Sequence, residues 1–170
     1  MTIYRPDRRD EPCRCCYPVI RPEIPIVPPT SRAFADYYAI APSDNPNPIP
    51  AGTAIAFPRG SSSDFASISR IGESSFNLSE AGAYLVMFQV SVEDSAQLQL
   101  SINARPLAYT VAGTDSDSSQ ITGMAIVTTV REDAELRVVN AVNSGSSLIV
   151  TENAGGDLPS SSHLIIVKLA

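Results

Sequence analysis

The sequence contains no tryptophan, one lysine, one histidine and few charged residues, which make up 18% of the chain. Residues 33–170 are acidic, with Lys168 as their single lysine, and lack the clustered basic residues that neutralise nucleic-acid phosphates or anionic lipids. We therefore expect neither nucleic acid nor a membrane as a partner. No run approaches the ~20 apolar residues of a membrane-spanning helix. The hydrophobic content of 44% is nonetheless ordinary for a chain that folds around a core.

Charge and proline divide the 170 residues into two parts. Residues 1–32 hold six arginines, four acidic residues, seven of the fourteen prolines and all three cysteines, with a net charge of +2. Residues 33–170 hold five arginines, the lysine and fourteen acidic residues, with a net charge of −8. We predict an extended Pro/Cys-rich connector or docking arm over 1–32 and a single domain over 33–170.

Residues 18–29 mix proline with aliphatic residues, which excludes a helix and predicts an extended segment. One interpretation is a semi-rigid spacer with incidental aliphatic residues. The other is a docking peptide, whose stiff backbone lowers the entropic cost of binding a partner. The candidate docking residues are Val19, Ile20, Ile24, Ile26 and Val27.

Three cysteines, Cys13, Cys15 and Cys16, lie just before this segment. An odd number of thiols cannot pair completely within one chain. Free thiols and a metal site are alternatives, but zinc requires four ligands at wider spacing and the single histidine is distant in the sequence. We favour intermolecular disulfides that form once the protein reaches an oxidising environment.

From residue 33 onwards, short alternating segments are separated by turns rich in Gly, Pro, Ser and Asn, and none is convincingly helical. About ten strands at this spacing predict an all-β, antiparallel jelly-roll sandwich. Residues 97–103 have one apolar and one polar side, which is typical of a half-solvated strand. The shorter predicted strands include 53–57, 65–71, 107–111 and 147–150, and the predicted turns or loops include 58–63 and 113–119.

Three longer strands, 83–92, 121–131 and 163–170, are apolar on both sides. The last of them is therefore expected at the centre of a sheet. A two-layer sandwich buries only one side of each sheet, so a second apolar side requires another partner. We predict that further copies of the chain cover it. The predicted interface residues are Leu85, Met87, Ala125, Val127, Ile165 and Val167.

Residues 82–88 read GAYLVMF and follow FNL at 76–78. This stretch resembles the G-x-Y-x-F-x-[FY] signature strand of the complement globular-head and tumour-necrosis-factor-like (TNF-like) trimers, with Val86 in place of the middle aromatic. That valine, the low charge and the missing tryptophan make 33–170 similar to the C-terminal domain of the collagen-like exosporium glycoproteins of spore-forming bacilli. The resemblance implies a ten-strand TNF-like jelly roll, a homotrimer and a place on the spore surface, although no collagen stalk is present.

The resemblance implies a structural subunit of the exosporium or of a spore appendage. Its arm would join one trimer to neighbouring trimers in a fibre, or to an exosporium basal-layer protein. No secretory signal pattern is visible, so we expect the spore surface to be reached without a secretory signal peptide. The alternative is a trimeric head that binds a host or environmental ligand through loops such as 113–119 and 153–162.

Catalysis and metal binding are not expected. The sequence offers no evident nucleophile–base pair or carboxylate dyad, so no catalytic residue is assigned. His163 opens a strand and is interpreted as a surface or partner-contacting residue. Asp115 and Asp117 lack the glycine and closing glutamate of an EF-hand loop, so neither a metal nor a cofactor is predicted.

Overall fold

The structure, a computed structural model, describes residues 32–142 and 145–170. These residues form eleven strands and one short 3-10 turn, Ala108–Thr110. The strands are β1 (Phe34–Ile40), β2 (Arg59–Ser62), β3 (Ile68–Gly72), β4 (Ser75–Leu78), β5 (Gly82–Val92), β6 (Ala96–Ile102), β7 (Arg105–Pro106), β8 (Ala112–Thr114), β9 (Ser119–Thr129), β10 (Ala134–Asn140) and β11 (Ser161–Lys168). The predicted thiols Cys13, Cys15 and Cys16 and the docking residues Val19, Ile20, Ile24, Ile26 and Val27 lie outside the described residues.

The strands form two antiparallel sheets with a common core between them. One sheet has the order β2-β1-β11-β5-β9, and the other has the order β3-β4-β10-β6-β7, with β8 also paired to β6. Most neighbours within a sheet are distant in sequence, as in a jelly roll. The described residues contain no α-helix, and the predicted all-β antiparallel sandwich is confirmed, with eleven strands where about ten were predicted. The C-terminal strand β11 is central, as its two apolar sides predict.

The two ends of the sandwich are distinguished here as base and top. The base contains Phe34, Gly82, Thr129 and Lys168, which lie at strand ends that pair with or adjoin one another. The top contains the opposite ends of the same strands, at Ile40, Val92, Ser119 and Ser161. The first residue of the predicted domain, Ala33, lies at the base, where its carbonyl accepts a hydrogen bond from the Lys168 backbone amide (2.9 Å).

Alternate residues of β5 form a large part of the hydrophobic core. Their side chains point between the sheets and meet apolar residues of the second sheet, as a period of two requires. Each large side chain that is fully buried contributes about 1.5–3 kcal/mol to the free energy of folding. Buried residues of β5 are Tyr84, Val86, Phe88, Val90 and Val92, and buried residues of the facing strands include Leu98, Leu100, Leu136 and Val138.

The shorter segments show where apolar alternation does not predict strands. Residues 53–57 make a single bridge, from Ala54 to Val139, and residues 107–111 form the 3-10 turn. Residues 147–150 likewise form isolated bridges, and the predicted strand at 65–71 is confirmed only from residue 68, where β3 begins. The apolar residues of these segments alternate because they are buried, although the segments form no continuous ladder of backbone hydrogen bonds. Conversely, the predicted turn at 58–63 contains β2, and part of the predicted loop at 113–119 belongs to β8.

The predicted solvated side of residues 97–103 is wrong at its two middle residues, while Gln97 and Asn103 are exposed. Gln99 and Ser101 are only 7% and 3% exposed. The chain after β7 returns along β6, where the Leu107 amide donates to the Leu100 carbonyl (2.8 Å) and the Leu100 amide donates to Thr110 Oγ1 (2.9 Å). This returning segment bonds to the backbone along β6, which the polar pattern of the strand does not reveal.

Hydrogen bonds around Glu80 tie the base together. The Tyr84 hydroxyl donates to the Glu80 carbonyl (2.8 Å), and Thr129 Oγ1 donates to the same carbonyl (3.2 Å). Lys168 Nζ, at the end of β11, donates to Glu80 Oε2 (2.6 Å). The hydrogen bond from Lys168 lowers the pKa of the Glu80 carboxyl, so the link is lost only when the pH falls through that lowered pKa. A Cβ at Gly82 would overlap the Ala170 carbonyl, which explains the glycine that opens this strand.

The two core tyrosines differ in a way that predicts opposite mutational effects. The Tyr37 ring packs at a tilt against Phe76 with 4.6 Å between ring centroids, and its buried hydroxyl has no hydrogen-bond partner among the described residues. We expect Tyr37→Phe to keep or raise the free energy of unfolding, because it removes an unsatisfied buried polar group. Tyr84→Phe should lower it by about 1 kcal/mol, because the bond to Glu80 is lost. Denaturant unfolding at fixed protein concentration compares them, and an equal loss in both variants would contradict the different hydrogen bonding of the two hydroxyls.

The same core has no room for a side chain at Gly123. This glycine lies directly opposite Phe88, and an added Cβ would overlap the aromatic ring. We expect Gly123→Ala to lower the free energy of unfolding by about 1–3 kcal/mol, the usual cost of overpacking. Gly156→Ala is the matched control, since no atom lies within 4 Å of its Cβ position. Indistinguishable thermal unfolding of the two variants would show that the ring does not occupy this space.

Candidate functional site

The candidate site is the outer face of the five-stranded sheet, the side that points away from the second sheet. Residues directly opposite in neighbouring antiparallel strands point to the same side, so the register arranges this face in rows. From the base upwards, the first row is Phe34, Val167, Leu85 and Ile126, and the second row is Asp36, Ile165, Met87 and Met124. The third row is Tyr38, His163, Gln89 and Thr122.

Apart from Asp36, the first two rows form one contiguous apolar surface. We call it the apolar patch and define it as Phe34, Leu85, Met87, Met124, Ile126, Ile165 and Val167. Phe34 and Ile126 are each 56% exposed and Met124 is 71% exposed, while the four residues between them are half-buried. Contiguous apolar surface of this kind marks interaction sites in soluble proteins, whereas single exposed apolar residues do not.

The structure corrects the predicted face of β9. Val127 is 1% exposed and lies opposite Tyr84, and Ala125 packs against the core opposite Val86. Both residues therefore belong to the core side and cannot form the predicted interface. Small residues occur on this side of β9 because the facing residues of β5 are large, as the pairing of Gly123 with Phe88 shows. The outward residues of β9 are instead Met124 and Ile126.

The other four predicted interface residues, Leu85, Met87, Ile165 and Val167, do lie together on the outer face. Whether they contact another copy stays a prediction. Sequence reasoning missed three residues of the patch: Phe34, Met124 and Ile126. The small residues Gly123 and Ala125 were a usable signal, because small residues suit positions opposite bulky ones.

A polar cluster borders the apolar patch towards the top. His163 Nδ1 lies 3.0 Å from Asp36 Oδ1, and the His163 ring stacks on Tyr38 with 5.7 Å between ring centroids. The three side chains come from the adjacent strands β1 and β11, which hold them on the outer face. Among the described residues no hydroxyl group hydrogen bonds to Nε2 of this histidine. The cluster can thus orient a polar contact, and it lacks an assembled nucleophile–base pair.

Neither a metal cluster nor a membrane-spanning helix occurs within the described ranges, 32–142 and 145–170. These ranges contain no group of three or more His, Cys, Asp or Glu side chains placed to hold a metal ion. They also contain no helix of the length and apolar character needed to cross a membrane.

No protein-family model matches the chain, and no curated protein does. Solved structures match it instead. The globular domain of zebrafish complement 1qA protein superposes with a TM-score of 0.54 at 14% identity, over 81% of this chain and 96% of that chain. Murine APRIL, in its crystal structure at pH 8.5, superposes with a TM-score of 0.50 at 12% identity, over 80% of this chain and 99% of that chain.

The chain has the jelly-roll fold of these globular heads. The fold that residues 82–88 predict is therefore confirmed. At these identities the likeness concerns the fold alone, and the similarity to exosporium glycoproteins stays a prediction from the sequence.

Proposed function

We propose that this protein is a structural subunit of the spore surface, which forms a homotrimer through the apolar patch and is linked onwards through its arm. The observation that carries the proposal is the patch itself. Seven apolar residues lie contiguously on a sheet face that no other described part of the chain covers. A jelly roll with such a face is incomplete as a monomer, and further copies of the same chain are the economical partner.

Association through the patch is energetically sufficient. Each large apolar side chain that becomes fully desolvated contributes about 1.5–3 kcal/mol. Several such residues per subunit exceed the lower part of the ~4–15 kcal/mol that association costs in lost translational and rotational freedom. The number of subunits, three, rests on the resemblance of residues 82–88 to the signature strand of trimeric heads.

The location and the onward link rest on the sequence. The similarity of 33–170 to exosporium glycoproteins supports the spore surface. The Pro/aliphatic composition of 18–29 supports a docking segment, and Cys13, Cys15 and Cys16 support covalent joints between subunits. In this proposal the arm connects a trimer to neighbouring trimers in a fibre, or to an exosporium basal-layer protein.

A charged residue in the patch tests the trimer. We expect Met124→Asp to weaken self-association at least a hundredfold, because a carboxylate would be buried without a partner. The exposed position of Met124 predicts an unchanged circular dichroism spectrum. Leu158→Asp is the control, since Leu158 is an exposed apolar residue outside the sheet faces. Sedimentation velocity measures both variants, and equal sizes for Met124→Asp, Leu158→Asp and the parent chain would refute the patch as the interface.

Deletion of residues 1–30 tests the arm separately. We expect the shortened protein to remain trimeric, because the patch is intact, and to lose attachment to spores and assemblies larger than a trimer. In the full-length chain, we expect triple replacement of Cys13, Cys15 and Cys16 by serine to remove the covalent joints. Heat and detergent should then separate the assemblies without a reductant. Electron microscopy and non-reducing gel electrophoresis provide the readouts. Assembly and spore attachment that persist after the deletion would show that the arm is not the connector.

A trimeric head that binds a host or environmental ligand is the second candidate function. One observation favours it: a cavity at the top of the sandwich lies between parts of the two loop regions that the sequence suggested for ligand contact.

A further inference from the structure

The polar cluster of Asp36, Tyr38 and His163 adjoins the apolar patch, and one of its members lies within the rows that contain the patch. Asp36 occupies the second row, directly opposite Ile165, and Phe34 of the first row lies two residues before it on β1. The Asp36 side chain is 56% exposed in the single chain. A partner that covers the apolar residues beside Asp36 therefore covers this carboxylate as well.

Covering Asp36 removes a carboxylate from water, which is costly unless an opposite charge and hydrogen bonds replace the water. Within the described residues, His163 is the one side chain that hydrogen bonds to this carboxylate, with 3.0 Å between Nδ1 and Oδ1. The imidazole ring also stacks on Tyr38. The contact is thus formed before association, which lowers the side-chain entropy that the interface costs.

Other charged groups around His163 are few or already paired. On β5 the residue directly opposite is Gln89, which is uncharged, and on β1 the stacked Tyr38 is a neutral phenol near neutral pH. On β2, Arg59 lies opposite Tyr38, but its guanidinium binds the Asp44 carboxylate (2.6 Å). The remaining neighbours on this face are uncharged, namely Ser161 and Ile165 on β11, Met87 on β5 and Ser61 on β2. Among the described residues, the charge balance of this contact therefore depends on the protonation of one imidazole.

We propose that trimer formation through the apolar patch buries the contact between Asp36 and His163, and that mildly acidic pH favours the trimer because His163 takes up a proton there. This inference rests on the proposed function, since the trimer is what buries the contact. In the single chain the contact is solvated, and a solvated ion pair contributes little. In the interface, protonation converts it into a charge-assisted hydrogen bond, which is roughly twice as strong as a neutral one.

The direction of the effect follows from the charge of the buried contact. Imidazole changes its charge between about pH 5 and 8. Near pH 6 a protonated imidazole neutralises the carboxylate, whereas near pH 8 the interface holds a carboxylate without a counter-charge. A histidine that gains an anionic partner on association stabilises the complex at low pH, and this stabilisation is lost as the pH rises. His163 is the single histidine of the chain, so one substitution removes the effect.

Sedimentation velocity of the full chain in a reductant, at pH 6 and pH 8 and equal ionic strength, tests this inference. We expect the concentration at which half of the trimer dissociates to be at least about tenfold higher at pH 8, because a charge-assisted hydrogen bond becomes a neutral one in every subunit. Subunit exchange between unlabelled and isotope-labelled chains, followed by native mass spectrometry, gives the same comparison where the trimer persists on dilution.

Two variants of the contact have different expected outcomes. His163→Gln keeps a hydrogen-bond donor without a titratable charge, so its association should no longer depend on pH. Asp36→Asn should reverse the dependence and associate more tightly at pH 8 than at pH 6, because a protonated His163 would then be buried without a counter-charge. Asp157→Asn is the matched control, since Asp157 is an exposed acidic residue in the loop before β11, and it should follow the parent chain.

The outcomes separate this inference from the proposed trimer. A parent trimer that is equally stable at pH 6 and pH 8 would overturn the inference and leave the trimer in place. The inference is also overturned if His163→Gln keeps the pH dependence of the parent chain, or if Asp36→Asn keeps its direction. A chain that is monomeric at both pH values would refute the trimer itself, and this inference with it.

Discussion

A two-layer sandwich can bury only one side of each of its sheets, and this constraint governs the rest of the molecule. In β5 one set of alternate residues fills the space between the sheets, and the other set, with Leu85 and Met87, faces away from it. The neighbouring strands repeat the arrangement, with Ile165 and Val167 on β11 and Met124 and Ile126 on β9. The excess apolar surface therefore accumulates on one face. The proposed self-association rests on this surplus more than on any single contact.

Contacts at the base of the sandwich explain the glycine and the tyrosine of the signature sequence. Gly82 allows the end of the chain to approach, and the Tyr84 hydroxyl holds the turn at Glu80. The single lysine of the chain, Lys168, binds the same glutamate from the last strand. One turn thus fixes β5 against β11 and sets the register that aligns the rows of the outer face. The apolar patch depends on this register, because a shift by one residue would turn Leu85 and Met87 into the core.

The all-β class and the long strands could be predicted from the sequence, because large apolar residues that alternate with a period of two fit a strand and not a helix. It predicted the central place of β11 for the same reason. It failed at β9, where both sides are apolar and only the partner strand decides which side faces the core. It also failed at Gln99 and Ser101, whose burial comes from the surrounding fold and not from the alternation within β6. The cavity at the top combines loops about 30 residues apart, which no local pattern brings together.

The mass of the intact protein in solution tests the central claim most directly. A reductant during sedimentation equilibrium prevents disulfide links between chains, so the mass reports non-covalent association. Trimer formation through the apolar patch predicts a species of three times the 18.1 kDa of one chain that persists on dilution to low micromolar concentration. A mass of 18.1 kDa at every concentration would show that the apolar patch does not bind further copies, and would contradict the trimer.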